Sequence, residues 1–264
     1  MIIQKKAYAK INSCLKILRR LPNDYHEIYT VMHRISLYDN IKIELCDGAG
    51  IKILCSDANL ANEHNIAYKA ADLFFRTANV SAGTTINIDK NIPSQAGLGG
   101  GSSDGAAVLL ALNEYFQNIL PEHKLIKLAA KIGADVSFFA KNISCAVCEG
   151  IGEKVTPYTH GLNGRVLIAK PIYGISTKQA FEDWGKFNFA HDFKNDFSAL
   201  AFYQNENLRE IYNIIVGYGA NQAELTGSGS ALFGIFDNSD KARECENFLK
   251  KREDIQFCGI FDFI

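Results

Sequence analysis

No apolar run in the chain approaches the ~18 residues that a membrane helix needs. The longest, residues 106–112, suits only a buried helix. Nor is there a basic excess: the formal net charge is −1, so nothing draws the chain toward nucleic acid or anionic lipid. Lys5, Lys6 and Lys10 have no long apolar stretch behind them, which argues against a secretory signal. The seven cysteines are an odd, scattered set, unlike a secreted disulfide framework. Cys145 and Cys148 have CxxC spacing but lie in a strand-like stretch, where residues three apart face opposite ways. No second pair or His/Cys/Asp cluster stands near enough to complete a protein-held zinc site, so they read as buried thiols. Internal repeats and low-complexity tracts are absent. These absences lead to the expectation of a cytoplasmic protein with no membrane or nucleic-acid partner, a monomer or weak homodimer.

What is present is a mixture of strand and helix patterns over 264 residues, enough for one large domain or two modest ones. Residues 10–18 and 41–54 contain short, partly alternating β-like segments, and Asp47-Gly-Ala-Gly50 reads as a hairpin turn between two of them. Residues 65–77 carry Ala67, Ala70, Ala71, Phe74 and Phe75 at helical spacing. A strand is expected at 84–88, helices at 102–118 and 122–131, and a strand at 144–149 followed by a turn at 149–153. After a polar stretch at 157–164 come strands at 166–170, 231–236 and 256–261, and helices at 178–184, 206–218 and 239–251. Without a regular βαβ repeat, this is an α+β pattern. The domain boundary is placed there, giving units of 1–156 and 157–264.

The most informative segment is Pro93-Ser94-Gln95-Ala96-Gly97-Leu98-Gly99-Gly100-Gly101-Ser102-Ser103. Four glycines in five positions permit backbone shapes other residues resist and let a ligand approach the main chain. Ser102, Ser103 and Asp104 are good helix N-cap types, and the apolar run from Ala106 continues as a helix. A glycine loop feeding a helix N-terminus offers unpaired N–H groups and the positive end of the helix dipole to a phosphate. The Walker A pattern is excluded, because Ser102-Ser103 stands where it needs Lys-Ser/Thr. The dinucleotide pattern is excluded too, since it would need glycine at Ser102 and an acidic residue ending a second parallel strand.

Residues 93–103 resemble the central motif of the GHMP kinases (galactokinase, homoserine, mevalonate and phosphomevalonate kinases). Two further segments match in order: Lys10-Ile-Asn12 resembles the first motif, and Leu225-Thr-Gly-Ser-Gly-Ser230 the third. Finer features, Asp24-Tyr-His-Glu27, the doubled glycine before Ser102, Gly133-Ala-Asp135 and Glu149-Gly-Ile-Gly-Glu153, resemble a branch acting in the methylerythritol phosphate route to isoprenoid precursors. The resemblance implies a two-domain α+β fold, with an N-terminal domain like ribosomal protein S5 domain 2 and a ferredoxin-like C-terminal domain. It also implies transfer of a phosphoryl group from ATP, with Mg²⁺, to a cytidine-diphosphate-linked polyol. Asp24 stands where that branch has glycine; aspartate tolerates left-handed geometry better than most residues. Gly105 replaces a common alanine, which should loosen the first helical turn.

Phosphoryl transfer needs an activated hydroxyl and neutralised phosphate charge. On the residues alone Asp135 reads as a helix cap or as a carboxylate tuned by apolar neighbours; the resemblance makes it the general base. Lys10 and Asn12 share one strand face, so Lys10 is the electrostatic partner and Asn12 a polyol ligand. The resemblance assigns Tyr25, His26 and Phe181 to the base, and Thr226, Gly227, Ser228 and Gly229 to backbone contacts with substrate or phosphates. Asn65 and Lys90 border the adenine, and Ser102 or Ser103 reaches Mg²⁺. The alternatives are another small-molecule kinase of the same type, acting on mevalonate, homoserine or a sugar, or a non-catalytic nucleotide- or RNA-binding module.

Overall fold

The computed structural model describes residues 1–159, 161–186 and 193–264. His160, within the expected boundary stretch, lies outside the described residues. The chain opens with two long antiparallel strands, β1 (Ile2–Arg20) and β2 (His26–Cys46), joined at a turn where Asp24 has φ 66°. The short alternating segments expected at 10–18 and before the turn at 47–50 are parts of this one ribbon. β1 covers one edge of β2 throughout its length. The other edge is shared: residues 40–46 pair with a later strand and residues 28–33 with another.

Next come β3 (Ile51–Cys55), α1 (Ile66–Ala78) and β4 (Gly83–Asp89). β4 inserts antiparallel against β2, and β3 pairs with it in parallel. The turn at 47–50 therefore does not close a hairpin, because β4 occupies the place between the two strands that it joins. α2 (Gly100–Tyr115), α3 (Glu122–Ile132) and α4 (Ala134–Ala140) follow, then β5 (Cys145–Gly150) and β6 (Lys154–Pro157), which complete a six-stranded sheet. α4 has no counterpart in the sequence pattern; at seven residues it is too short to show periodicity.

The second half runs β7 (Arg165–Pro171), α5 (Thr177–Trp184), α6 (Asp196–Gln204), α7 (Glu206–Gly217), β8 (Gln222–Leu225), β9 (Leu232–Phe236), α8 (Ser239–Leu249) and β10 (Ile255–Asp262). Its four strands are antiparallel in the order β10-β7-β9-β8. With a crossover of helices after β7 and one helix between β9 and β10, this is the ferredoxin-like arrangement. Among the described residues no helix is long and apolar enough to cross a membrane.

Alternation along the central strands decides how the halves join. Leu167, Ala169, Leu232 and Phe236 point into a core with the helices of the second half. Val166, Ile168, Phe233 and Ile235 point the other way, against Ala9 and Ile11 of β1, Ile35 and Leu37 of β2, and Ala96 and Leu98 of the glycine loop. β1 is consequently buried on both faces from Ala9 to Ser13, which carries Lys10 and Asn12 into the interior. The shared core predicts one cooperative unfolding transition, with Trp184 fluorescence and far-UV circular dichroism coinciding in urea. Phe233→Ala should lower stability by about 3–5 kcal/mol; two separated transitions in the unaltered protein would show that the halves stand alone.

Candidate active site

α2 begins at Gly100, two residues earlier than the N-cap residue types imply. Gly99 is the cap, left-handed at φ 72°, and makes no side-chain cap bond. The first helical bond is that of the Ser103 N–H to the Gly99 carbonyl, so the N–H groups of Gly100, Gly101 and Ser102 precede the ladder, open to an anion at the positive end of the dipole. Ala96 and Leu98 bury their side chains in the shared core and anchor the loop from below. Glycine at 97 is dictated by packing: with φ 74°, a Cβ there would lie 2.0 Å from the Thr226 carbonyl oxygen. A Cβ at Gly99 would meet Phe139 at 3.0 Å and the Lys10 stem at 3.1 Å. Gly105 has a packing reason too, since a Cβ would lie 2.6 Å from Ile66.

The third motif closes over the loop. The Ala231 N–H donates to Ala96 and the Ser230 N–H to Gln95. The Thr226 hydroxyl accepts from the Asn12 N–H at 3.3 Å and donates to the Gly97 carbonyl at 3.2 Å. Below this seam lies Lys10, 3% exposed. Its ammonium donates to Asn12 Oδ1 at 2.5 Å and stands 3.5 Å from a carboxylate oxygen of Asp135. Asp135 sits in the first turn of α4, entered through extended backbone at Gly133, while Val136, Phe138 and Phe139 bury the helix. Its carboxylate is about one-third exposed, reachable from solvent yet facing the buried cation. Asn12 is spent on support: its Nδ2 donates to Thr30 Oγ1 at 2.8 Å, so both ends of the amide are held.

Lys90, expected at the adenine border, has its ammonium 3.3 Å from the Cβ position of Gly100 at the start of α2. Its ammonium is clamped between Asp39 and Asp104, at 2.8 Å from the latter. Asp39 also accepts from the N–H groups of Asn91 and Ile92 at 2.6 and 2.8 Å, which fixes the entry to the glycine loop. Burial opposes the Lys90 charge, but Asp104 and Asp39 outweigh it and raise its pKa. Burial pushes the Asp104 carboxyl up to about 7, and its Oδ1 has no hydrogen-bond partner. Asp39 and Asp104 carry no motif-like spacing; their one sequence signal was their polarity inside apolar surroundings. Asn65 caps α1, accepting from the Ala67 N–H and donating to the Leu60 carbonyl, and the adjacent Ile66 packs on Gly101 and Gly105 of α2.

At the start of β2, His26 stacks on Phe181 of α5 with centroids 5.1 Å apart and an interplanar angle of 22°. Trp184, which sequence reasoning passed over, meets the same ring edge-on at 6.2 Å. Burial, and then Arg20, lowers the His26 pKa. Tyr25 is exposed beside them. A bond of 2.8 Å between Ser228 and Thr177 hydroxyls ties the third motif to the start of α5, the helix carrying Phe181. Cys145 and Cys148 are free, and burial raises both thiols, to about 11 and about 12. Among the described residues no group of His, Cys, Asp and Glu could hold a metal ion.

A glycine loop capping a helix, a lysine–carboxylate pair beside it and a second glycine turn over it define a small-molecule kinase of the GHMP type. Residues 65–142 match the GHMP kinases N-terminal domain, and residues 177–254 match the GHMP kinases C-terminal model. A 4-diphosphocytidyl-2-C-methyl-D-erythritol kinase from Clostridium novyi is 36% identical, covering 94% of this chain and 95% of its own. One from Chloroherpeton thalassium is 34% identical over 93% of each. A crystal structure of 4-(cytidine 5'-diphospho)-2C-methyl-D-erythritol kinase superposes with a TM-score of 0.83 at 28% identity, over 98% of this chain and 99% of that one. Mevalonate kinase from Methanococcus jannaschii shares the fold alone, with a TM-score of 0.73 at 17% identity over 100% of this chain and 98% of that one. The chain belongs to the 4-diphosphocytidyl-2-C-methyl-D-erythritol kinase family of the GHMP kinases.

Two outcomes follow from this geometry. Gly97→Ala should abolish turnover, because the added methyl displaces the Thr226 carbonyl; steady-state kinetics on the folded variant checks it. Asp104 has its folded pKa raised above its unfolded value, so its stabilising contribution is complete near pH 4 and is lost as pH rises through about 7. Urea midpoints at pH 5 and pH 8 should therefore differ less in Asp104→Asn than in the unaltered protein.

Proposed function

We propose that the chain transfers the γ-phosphoryl group of ATP to the 2-hydroxyl of 4-diphosphocytidyl-2-C-methyl-D-erythritol in the cytoplasm. The carrying observation is the buried Lys10, whose stem packs against Gly99 at the start of α2 while its ammonium stands 3.5 Å from Asp135. The amides of Gly100, Gly101 and Ser102, which precede the helical ladder at the positive end of α2, suit a polyphosphate. Asp135 accepts the proton of the acceptor hydroxyl. The freed oxygen bonds to the γ-phosphorus as the bond to the bridging β–γ oxygen breaks, and ADP carries away that electron pair. Lys10 offsets the negative charge gathering on the transferred group. Mg²⁺ bound with ATP would supply charge neutralisation, and Ser102, half-buried where Ser103 is buried, would be the serine to approach it.

The reading assigns the cytosine base to Tyr25, His26, Phe181 and Trp184. The aromatic cluster of His26, Phe181 and Trp184 favours an acceptor carrying a nucleobase over mevalonate or homoserine, which have no ring to stack. Incubation with [γ-³²P]ATP and each acceptor tests the assignment. The cytidylyl substrate should be labelled, and equal or better labelling of mevalonate would overturn it. Lys10→Ala and Asp135→Asn should each reduce kcat by about 10²–10⁴-fold, with ATP affinity by calorimetry changed less.

A further inference from the structure

Asn195 is wholly buried where three parts of the molecule meet. Its Oδ1 caps α6 by accepting from the Phe197 N–H at 3.0 Å. Its Nδ2 donates to two carbonyls of the third motif, Leu225 at 2.7 Å and Gly227 at 2.8 Å. Its own backbone bridges in parallel to Leu15 of β1, and the Leu15 N–H donates to the Lys194 carbonyl at 2.9 Å. Capping alone requires only an acceptor. Asn238 at the head of α8 does just that, accepting from two N–H groups at a solvent-exposed position. At Asn195 the amide's two N–H groups are spent on the third motif instead, at the point where β1 passes.

The loop it holds touches the catalytic lysine. Gly227 has φ 57°, and its Cβ position lies 3.4 Å from the Lys10 ammonium and 3.4 Å from the Gly97 Cα. Thr226, between the two held carbonyls, supplies the hydroxyl that joins Asn12 to Gly97. Asn195 thus reaches Lys10 along a continuous path through the 225–227 backbone, Thr226 and Asn12. Taking the kinase reading as its basis, we propose that Asn195 is a positioning residue for phosphoryl transfer, fixing the third-motif turn against the glycine loop so that Lys10 stands at the transferred phosphoryl group.

Asn195→Ser tests this, because a hydroxyl still caps α6 but does not span to both carbonyls. Its kcat should fall by about 10- to 100-fold, with the KM for ATP and for the cytidylyl acceptor held within about threefold. Amide exchange at Gly229, whose N–H donates to the Thr226 carbonyl, should quicken by about tenfold or more while the α6 amides keep their protection. Within a Thr226→Ala background the further loss from Asn195→Ser should shrink, since the two act in one path. Asn238→Ala, the control cap, should lower the melting temperature and leave kcat unchanged. A folded Asn195→Ser with kcat within about twofold of the unaltered enzyme, or with exchange accelerated throughout α6, would reduce Asn195 to a cap and overturn the proposal. If the serine variant does not fold, Asn195→Asp, which also keeps the cap, is read by the same criteria. An unaltered protein that fails to label the acceptor counts against the kinase reading; the Gly229 exchange measurement needs no acceptor and continues to test the hold on the turn.

Discussion

A buried ammonium beside a helix N-terminus is the constraint around which this molecule is arranged. The stem of Lys10 packs where a Cβ of Gly99, the cap of α2, would stand, and its ammonium lies beside Gly227 of the third motif. Two fields of the same sign in a desolvated place are unfavourable unless something negative is shared between them. In the free protein the Asp135 carboxylate supplies part of that charge and the Asn12 amide oxygen a dipole. The N–H groups of Gly100, Gly101 and Ser102 still lack an intrahelical acceptor, so the arrangement favours a further anion. Lys90 shows the contrasting solution, a buried lysine clamped by two carboxylates, one of which also holds the entry to the glycine loop.

Much of this was legible in the sequence because the chemistry is concentrated in backbone-defined segments. Glycines at 97 and 99 stand out as residue types, and the structure supplies their reasons: a left-handed turn and carbonyl or aromatic atoms where a Cβ would go. Lys10 and Asn12 could be paired by the two-residue period of a strand, and they do touch. What failed was of another kind. The turn at 47–50 has hairpin composition, but a local signal carries no information that β4, more than thirty residues on, takes the central place. The long β1–β2 ribbon was read as fragments because its centre is buried on both faces and loses the alternation that marks a strand. Asp39 and Asp104 are ordinary in the sequence and become meaningful only where Lys90 meets them. The start of α2 was displaced by two residues because serine is the commoner cap type, whereas the actual cap is a glycine shaped by Phe139 and Lys10.

The division of labour between the halves follows from the shared core. The first half contributes the glycine loop, Lys10 and Asp135; the second contributes the third motif and α5 with its aromatic residues. Val166, Ile168, Phe233 and Ile235 press the second sheet directly onto β1 and the loop. The face that carries the ferredoxin-like sheet is therefore the same one that seats the third motif over the phosphate site. The Ser228–Thr177 bond then passes that placement on to Phe181. The placement of the glycine loop and that of the His26–Phe181 stack are thus mechanically linked.

Residue 97 and the 226 carbonyl, which would stand 2.0 Å from any methyl group placed on the glycine, are separated by about half the chain and yet occupy each other's only available space. Residue 97 cannot gain a side chain while the 226 backbone stays where it is. A recombinant that took its first half from one parent and its second from another would inherit a loop and a turn moulded to different partners. Homologous shuffling across residues 157–164 is for this reason confined to parents whose 226–229 turns already coincide, however well their two cores pack.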